Sequence, residues 1–366
     1  MIKRIHLGTG VVSISPVERE IQRHFVGGLG LCVRLMAEVP DPALPALDPD
    51  LPLIVAGGPL NATGFPSANR TCFFGVSPLT GLMAGSWMGG SFGTGLMRSH
   101  TAALIIQGRA DQPSILIISE QRVELTVRSD LWGLTVSETR ELLEREYDTP
   151  YIVAVGPAGE RLVPMASIFG EEGHAAGRCG LGAVMGAKNL KAIVAVGENK
   201  PSIVDQGAFK AAAQRAHKAV RGSSFLQEVH SKLGTNSLVK PINEFEALPT
   251  GNHQRSSFSE AEQICGERIA EAYIYKQTTC AYCPARCRFH VRFGDEKLHA
   301  PEYETVWAFG ADNEIAHYEL IAHANQLCNE LGLDTISAGN TIAFYREYTG
   351  TMHDPSNILP LIEQLA

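Results

Sequence analysis

The chain has 366 residues, 45% of them hydrophobic and 19% charged, with a formal charge of −8 and a pI near 5.9. That balance excludes a disordered chain and leaves room for two or three domains with a large core. No basic run or stripe exists, which argues against nucleic acid; no apolar run is long enough to span a membrane; and the N-terminus lacks a signal-peptide pattern. Eight cysteines, scattered except for one cluster, do not form a disulfide framework and point to a reducing, cytoplasmic setting.

In chain order, residues 2–14 read as two strands around Gly8-Thr9-Gly10, a hairpin signal. Residues 18–38 read as helical at both ends, with a stop and restart at Gly27-Gly28-Leu29-Gly30. Residues 41–52 form a proline-laden loop, and the apolar run Leu53-Ile-Val-Ala56 is a buried strand. From Gly58 to Gly95 glycine recurs at short intervals around a single basic residue, Arg70, in an otherwise small and apolar stretch. Two readings stand here: tight turns between strands, or a backbone cradle for a phosphate-bearing cofactor with Arg70 gripping an oxyanion.

Strands follow at residues 103–106, 114–118, 123–127 and 151–155, with an amphipathic helix at 136–147 capped by Thr135 or Ser137. Gly180-x-Gly182-x-x-x-Gly186 comes near a dinucleotide fingerprint, but its third glycine is one place late and no clean strand precedes it. It either offers N–H groups to phosphate at a helix start or marks close helix packing on small residues. Residues 190–196 are a last strand. Beyond residue 205 the pattern turns helical, at 208–220, 224–233, 260–275, 303–309, 317–331 and 335–348. The expected fold class is therefore α+β, a β-rich domain over residues 1–205 followed by a helical domain over 206–366.

The one cysteine cluster is Cys280-Ala-Tyr-Cys283-Pro-Ala-Arg-Cys287. Such spacing can turn three thiolates toward one centre. An iron–sulfur cluster is one reading, and zinc with His290 as a fourth ligand is another. Three unrelated thiols near a loop are the plainest. The run is one cysteine short of the bacterial ferredoxin pattern, and the order of its gaps is not that of radical enzymes using S-adenosylmethionine.

Across its whole length the chain resembles the tungsten-dependent aldehyde ferredoxin oxidoreductase family. The resemblance rests on Gly27-Gly-Leu-Gly-Leu31, Gly58-Pro-Leu-Asn-Ala-Thr-Gly64, Ser77-Pro-Leu-Thr-Gly81, Gly89-Gly-Ser-Phe-Gly93, Gly156-Pro-Ala-Gly-Glu160 and Ala175-Ala-Gly-Arg178. It continues through Gly182 to Ala192, the cysteine run, Pro301-Glu-Tyr-Glu-Thr-Val-Trp-Ala308 and Cys328-Asn-Glu-Leu-Gly-Leu-Asp-Thr-Ile-Ser337. The resemblance implies a β domain holding two molybdopterins with tungsten (or molybdenum), then helical domains carrying a 4Fe-4S cluster. It implies oxidation of aldehydes to carboxylic acids, with electrons passed to ferredoxin.

Carried over by position, Arg70 lies beside a pterin phosphate and Gly89 contacts the pterin. Trp87, in place of an asparagine, and Ala175 supply backbone carbonyls to a magnesium between the pterin phosphates. Gly177 and Arg178 complete the second cradle, in which His174 replaces an arginine. Cys280, Cys283 and Cys287 match three cluster ligands, and Glu304 matches a glutamate near the metal, fit to accept a proton. Asp334 closes a D-x-x-G-L-D pterin motif whose first aspartate is Asn329 here. Cys328 matches a family cysteine that is not a cluster ligand. His323 replaces a glutamate of a metal site between the subunits of a homodimer. The family's C-terminal part, with its second pterin motif and fourth cluster cysteine, is expected to be absent. On that reading the partner is a second polypeptide that completes the enzyme; the alternative is a catalytically inactive truncated relative, or a zinc or Fe-S binding module.

Overall fold

A computed structural model of the chain describes residues 1–39, 41 and 44–366; the expected loop at 41–52 thus lies partly outside the described residues. The first half forms two six-stranded sheets. The first contains β1 (Ile2–His6), β2 (Val11–Ser15), β3 (Leu53–Gly57), β4 (Thr71–Val76), β5 (Met83–Met88) and β6 (Ala103–Gln107). Its order is β2-β1-β6-β3-β4-β5. The second contains β7 (Ser114–Ile118), β8 (Val123–Val127), β9 (Tyr151–Ala154), β10 (Ile168–Phe169), β11 (Ala175–Ala176) and β12 (Leu190–Ala195), in the order β11-β10-β9-β12-β7-β8. β1 pairs parallel with β6 and β7 parallel with β12, and the other pairs are antiparallel.

Side-chain alternation along the strands sorts the core into layers. Leu53, Val55, Leu104 and Ile106 of the first sheet share an inner cluster with Leu116, Ile118, Val153 and Ile193 of the second. Phe92 and Leu96 of the Phe92–Arg98 helix, and Leu181, Val184 and Met185 of the Leu181–Ala187 helix, belong to the same cluster and wedge between the sheets. The intervening residues point outward. Ile54, Ala56, Ala103 and Ile105 meet Leu31, Leu35 and Met36 of the Gly28–Met36 helix. Ile115, Ile152, Ala192 and Val194 meet Leu143 of the Val136–Glu146 helix. That helix starts with a capping box in which Thr135 and Glu138 exchange side-chain-to-backbone hydrogen bonds.

The second half packs the Tyr303–Phe309, Tyr318–Leu331, Thr335–Thr349 and Ile358–Leu365 helices around Val306, Phe309, Ile321, Cys328, Ile342 and Ile362. One correction concerns its secondary structure. A three-stranded antiparallel sheet, β13 (Ile274–Thr278), β14 (Arg288–Phe293) and β15 (Glu296–His299), stands in the part expected to be helical. The helix expected at 260–275 is two short ones, Ala261–Ile264 and Gly266–Ala272, broken at the extended Cys265. β13 and β14 form the stem that holds the cysteine run at its tip.

The two halves share one core, since Ala158, Ala166 and Ala183 pack in the helical cluster. Backbone joins them as well. Ser167 N donates to Gly332 O (2.8 Å) and Asp334 N to Met165 O (3.0 Å). A Cβ on Gly156 would stand 2.4 Å from the Leu331 carbonyl, so only glycine permits this approach. Among the described residues no helix is long and apolar enough to cross a membrane.

Candidate active site

At this seam lies a cavity of about 720 Å³. Its walls collect residues that the sequence holds far apart: Arg70, Trp87 and Gly89; Ala175, Gly177 and Arg178; Asn329 and Asp334; Glu304; and two of the clustered cysteines, Cys280 and Cys287. Cys283 is the one expected site residue that does not line it.

Sheet geometry builds the first wall. Arg70 leads into β4, and Asn61 Nδ2 donates to its carbonyl (3.0 Å), fixing the backbone while the side chain stays exposed. Trp87 lies on β5, half exposed, and β5 runs beside β11, which carries Ala175. Trp87 and Ala175 therefore belong to one wall. Gly89 is closely hemmed. An added Cβ would lie 3.1 Å from His174 Nδ1 and 3.2 Å from Cys280 Sγ.

Gly177 contrasts with it, because its missing Cβ would meet nothing closer than Asp334 Oδ1 at 3.9 Å. Its carbonyl is held by Ser167 Oγ (2.6 Å). Arg178 Nε reaches Asp334 Oδ2 at 3.5 Å. Asp334 also caps the following helix, accepting from Ile336 N, Ser337 N and Ser337 Oγ. Burial nonetheless pushes its carboxyl above the ordinary range, against those bonds and Arg178. Asn329 lines the wall from the last turn of its helix, beside Gly173. Glu304, on the first turn of its own helix, is exposed and has no hydrogen bond or ion pair among the described residues. Cys328 is fully buried, and burial drives its thiol upward, which suits an inert core thiol.

The cysteine run is a tight loop. Cys283 N donates to Cys280 O (3.0 Å), Thr279 Oγ1 donates to Cys283 O (2.7 Å), and Tyr282 and Arg286 take left-handed conformations. Two of its sulfurs have different neighbours. Cys280 Sγ faces His174 Nε2 at 3.8 Å, whereas Cys283 Sγ faces Ser67 Oγ at 3.3 Å. Burial raises the Cys287 thiol, with Glu302 and the other two thiols adding to the rise. Among the described residues no three His, Cys, Asp or Glu side chains stand in a metal-holding arrangement. His290 sits on β14 against Tyr275 and His299, its Nε2 buried without a partner.

Arg288, His299 and His174 also line the cavity. Burial and the Arg288 charge hold His174 down to about 3, and burial and His290 hold His299 at about 4, so both rings are neutral at pH 7. The positive charge lining the cavity is thus carried by Arg70, Arg178 and Arg288, whose planar forks suit phosphate. Of these, Arg288 was not singled out from the sequence; its place directly after Cys287 was the available signal. The donor set fits the group the resemblance implies: cationic forks, one of them beside the open space at Gly177, next to soft sulfur donors.

The Gly180–Gly186 loop proves to be packing. Added Cβ atoms would strike Ser167 O at 2.5 Å from Gly182 and Gly159 O at 1.9 Å from Gly186. His323 is engaged within the chain, Nδ1 with Glu319 O (2.8 Å) and Nε2 with Glu296 Oε2 (2.9 Å).

Comparison with known proteins places this geometry. The family model described as the N-terminal domain of aldehyde ferredoxin oxidoreductase matches residues 2–197, and that for domains 2 and 3 matches residues 211–354. The second match corrects the expectation that the C-terminal part of the family is wholly missing. The tungsten-containing aldehyde ferredoxin oxidoreductase of Pyrococcus furiosus is 36% identical over 343 residues, 93% of this chain and 57% of the relative. Its counterpart in Thermococcus kodakarensis is 35% identical with the same coverage. A WOR-like subunit of an aliphatic sulfonate oxidoreductase from Pyrococcus furiosus is 27% identical, covering 90% of this chain and 56% of the relative. The chain thus spans a little over half the length of these relatives. Among solved structures, the BamBC active-site complex of benzoyl coenzyme A reductase with 1,5-dienoyl-CoA superposes with a TM-score of 0.84 at 24% identity. It covers 95% of this chain and 55% of that one, and the likeness establishes a shared fold.

Proposed function

The chain belongs to the aldehyde ferredoxin oxidoreductase family, and from that premise we propose that it supplies the pterin and cluster walls of an enzyme oxidising aldehydes to carboxylic acids. The carrying observation is the single cavity in which two glycine-and-arginine segments, the Asn329–Asp334 turn, Glu304 and two clustered thiols meet.

Arg70 and Arg178 would hold the phosphates of two molybdopterins, with Gly177 leaving room and the Gly89 backbone in contact with a pterin. The Trp87 and Ala175 carbonyls would share a magnesium, and Asn329 and Asp334 would hydrogen-bond a pterin ring. Cys280, Cys283 and Cys287 would give thiolates to a 4Fe-4S cluster. When bound, the pterin-held tungsten or molybdenum supplies the two-electron redox chemistry. Overall, aldehyde and water become carboxylic acid, two protons and two electrons. Glu304, exposed in the cavity and free of partners, takes up a proton released there.

The electrons would leave to a ferredoxin. Cys283 does not line the cavity and has its Sγ beside Ser67 Oγ, and Phe65 of the same loop packs on Phe209 of the Gln206–Arg221 helix at 5.8 Å. That helix exposes Lys210, Arg215, Lys218 and Arg221, none of them in an ion pair among the described residues. The face complements an acidic carrier.

A second reading, a zinc module, is favoured only by the unpartnered His290 Nε2 beside the cysteine loop. Metal analysis of the purified protein separates the two. Iron, sulfide and tungsten or molybdenum in the same sample are expected. Zinc alone would overturn the proposal.

A further inference from the structure

Between the cradle and the cysteine loop stands one side chain that touches both. His174 is buried, and its ring is gripped on several sides. Cβ atoms at Gly89 and Gly90 would come within 3.1 and 2.9 Å of it, so those glycines bring backbone against the ring. Its main chain is fixed by His174 N to Glu171 O (3.0 Å) and Gly170 N to His174 O (2.7 Å). On the far side, Arg288 Nη1 lies 2.6 Å from Nδ1, and Arg288 is itself anchored through Nη2 to Glu172 O (2.7 Å).

This contact decides the tautomer. A guanidinium has donors and no acceptor, so Nδ1 must accept. The ring proton of the neutral imidazole is then on Nε2, which points at Cys280 Sγ at 3.8 Å. The line Arg288–His174–Cys280 therefore directs an N–H at one named sulfur, across the seam between the two halves of the chain.

We propose that His174 is a positioning residue that donates this N–H···S hydrogen bond to Cys280 and so sets the reduction potential of an iron–sulfur cluster held by that cysteine. The inference rests on the cluster assignment under Proposed function. A donor at a ligating sulfur draws charge from it and favours the reduced, more negative cluster, which raises the potential. Removing the donor must lower it.

The experiment is a redox titration of the holoenzyme, followed by the electron paramagnetic resonance of the reduced cluster, for wild type, His174→Ala and His174→Gln. His174→Ala is expected to keep wild-type iron and sulfide content and to lower the cluster's reduction equilibrium constant about tenfold, a fall of about 59 mV for one electron. His174→Gln, which keeps an amide N–H, recovers most of that shift. An unchanged potential in His174→Ala at full iron content overturns the inference. So does a His174→Gln potential equal to that of the alanine variant. Should His174→Ala fail to hold iron, the glutamine variant alone decides, against wild type. Wild-type protein without iron overturns the cluster assignment itself, a result visible before any variant is made.

Discussion

Removing Lys191 is expected to cost more stability than any single hydrogen bond could. Lys191, on β12, is fully buried, and its Nζ pairs with Glu160 Oε1 and donates to Leu134 O at 2.7 Å. Glu160 is almost as buried, and its other oxygen accepts from Gly133 N at 2.8 Å. Burial outweighs the attraction of Glu160 and lowers the lysine's pKa, so the pair contributes little net stability over an apolar one. Breaking it is another matter. Lys191→Met leaves a buried carboxylate with one donor and strands the Leu134 carbonyl, a loss of about 3–5 kcal/mol. That is a large share of the roughly 5–15 kcal/mol by which proteins are stable. Lys191→Met/Glu160→Gln removes the charge and keeps an acceptor for Gly133 N, so most of the loss should return. Urea unfolding followed by circular dichroism measures both, with the midpoint falling at constant slope. A single-variant loss below about 1 kcal/mol, or a double variant as unstable as the single, would refute the reasoning.

Gly156→Ala forces a methyl into the Leu331 carbonyl, 2.4 Å away, and should cost at least about 1–3 kcal/mol in chemical denaturation. Gly177→Ala, with open space around its Cβ, should leave stability unchanged or about 0.4–1 kcal/mol higher while lowering the pterin content of purified protein. His323 supplies the pH test. Burial lowers its pKa, but hydrogen bonds to Glu296 and the Glu319 carbonyl outweigh that and leave it raised. A raised pKa gives stability that is complete below the unfolded value near 6.5 and fades as pH rises through the folded value. Wild type should therefore exceed His323→Ala most at pH 5–6 and lose that lead above neutrality, read from denaturation midpoints across pH.

Much of the fold was legible because burial writes itself into local pattern. The apolar runs at 53–56 and 103–106 gave strands, and Thr135 or Ser137 marked a helix start. β13 escaped because Ile274–Thr278 directly follows the Gly266–Ala272 helix and continues its periodicity; its strand state comes from pairing with β14, a tertiary fact. The parallel pairings of β1 with β6 and β7 with β12 cross long stretches of chain and leave no local trace. At the site, the motif residues could be named from the sequence, but not their orientation. Nothing in the spacing of Cys280, Cys283 and Cys287 told that the middle thiol turns toward Ser67. Nor could His174 and Arg288 be seen as partners, 114 residues apart.

That separation also governs timing. The cavity's walls are joined by contacts spanning more than a hundred residues, whereas the strands beside the cradle, β4 with β5 and β10 with β11, pair over short loops. Loop-closure entropy makes such contacts late ones in folding. Until the cysteine loop docks on His174 and Gly89, the cradle segments face solvent on an already formed sheet. A bulky cofactor can then enter sideways onto an open shelf, with no need to thread a finished mouth.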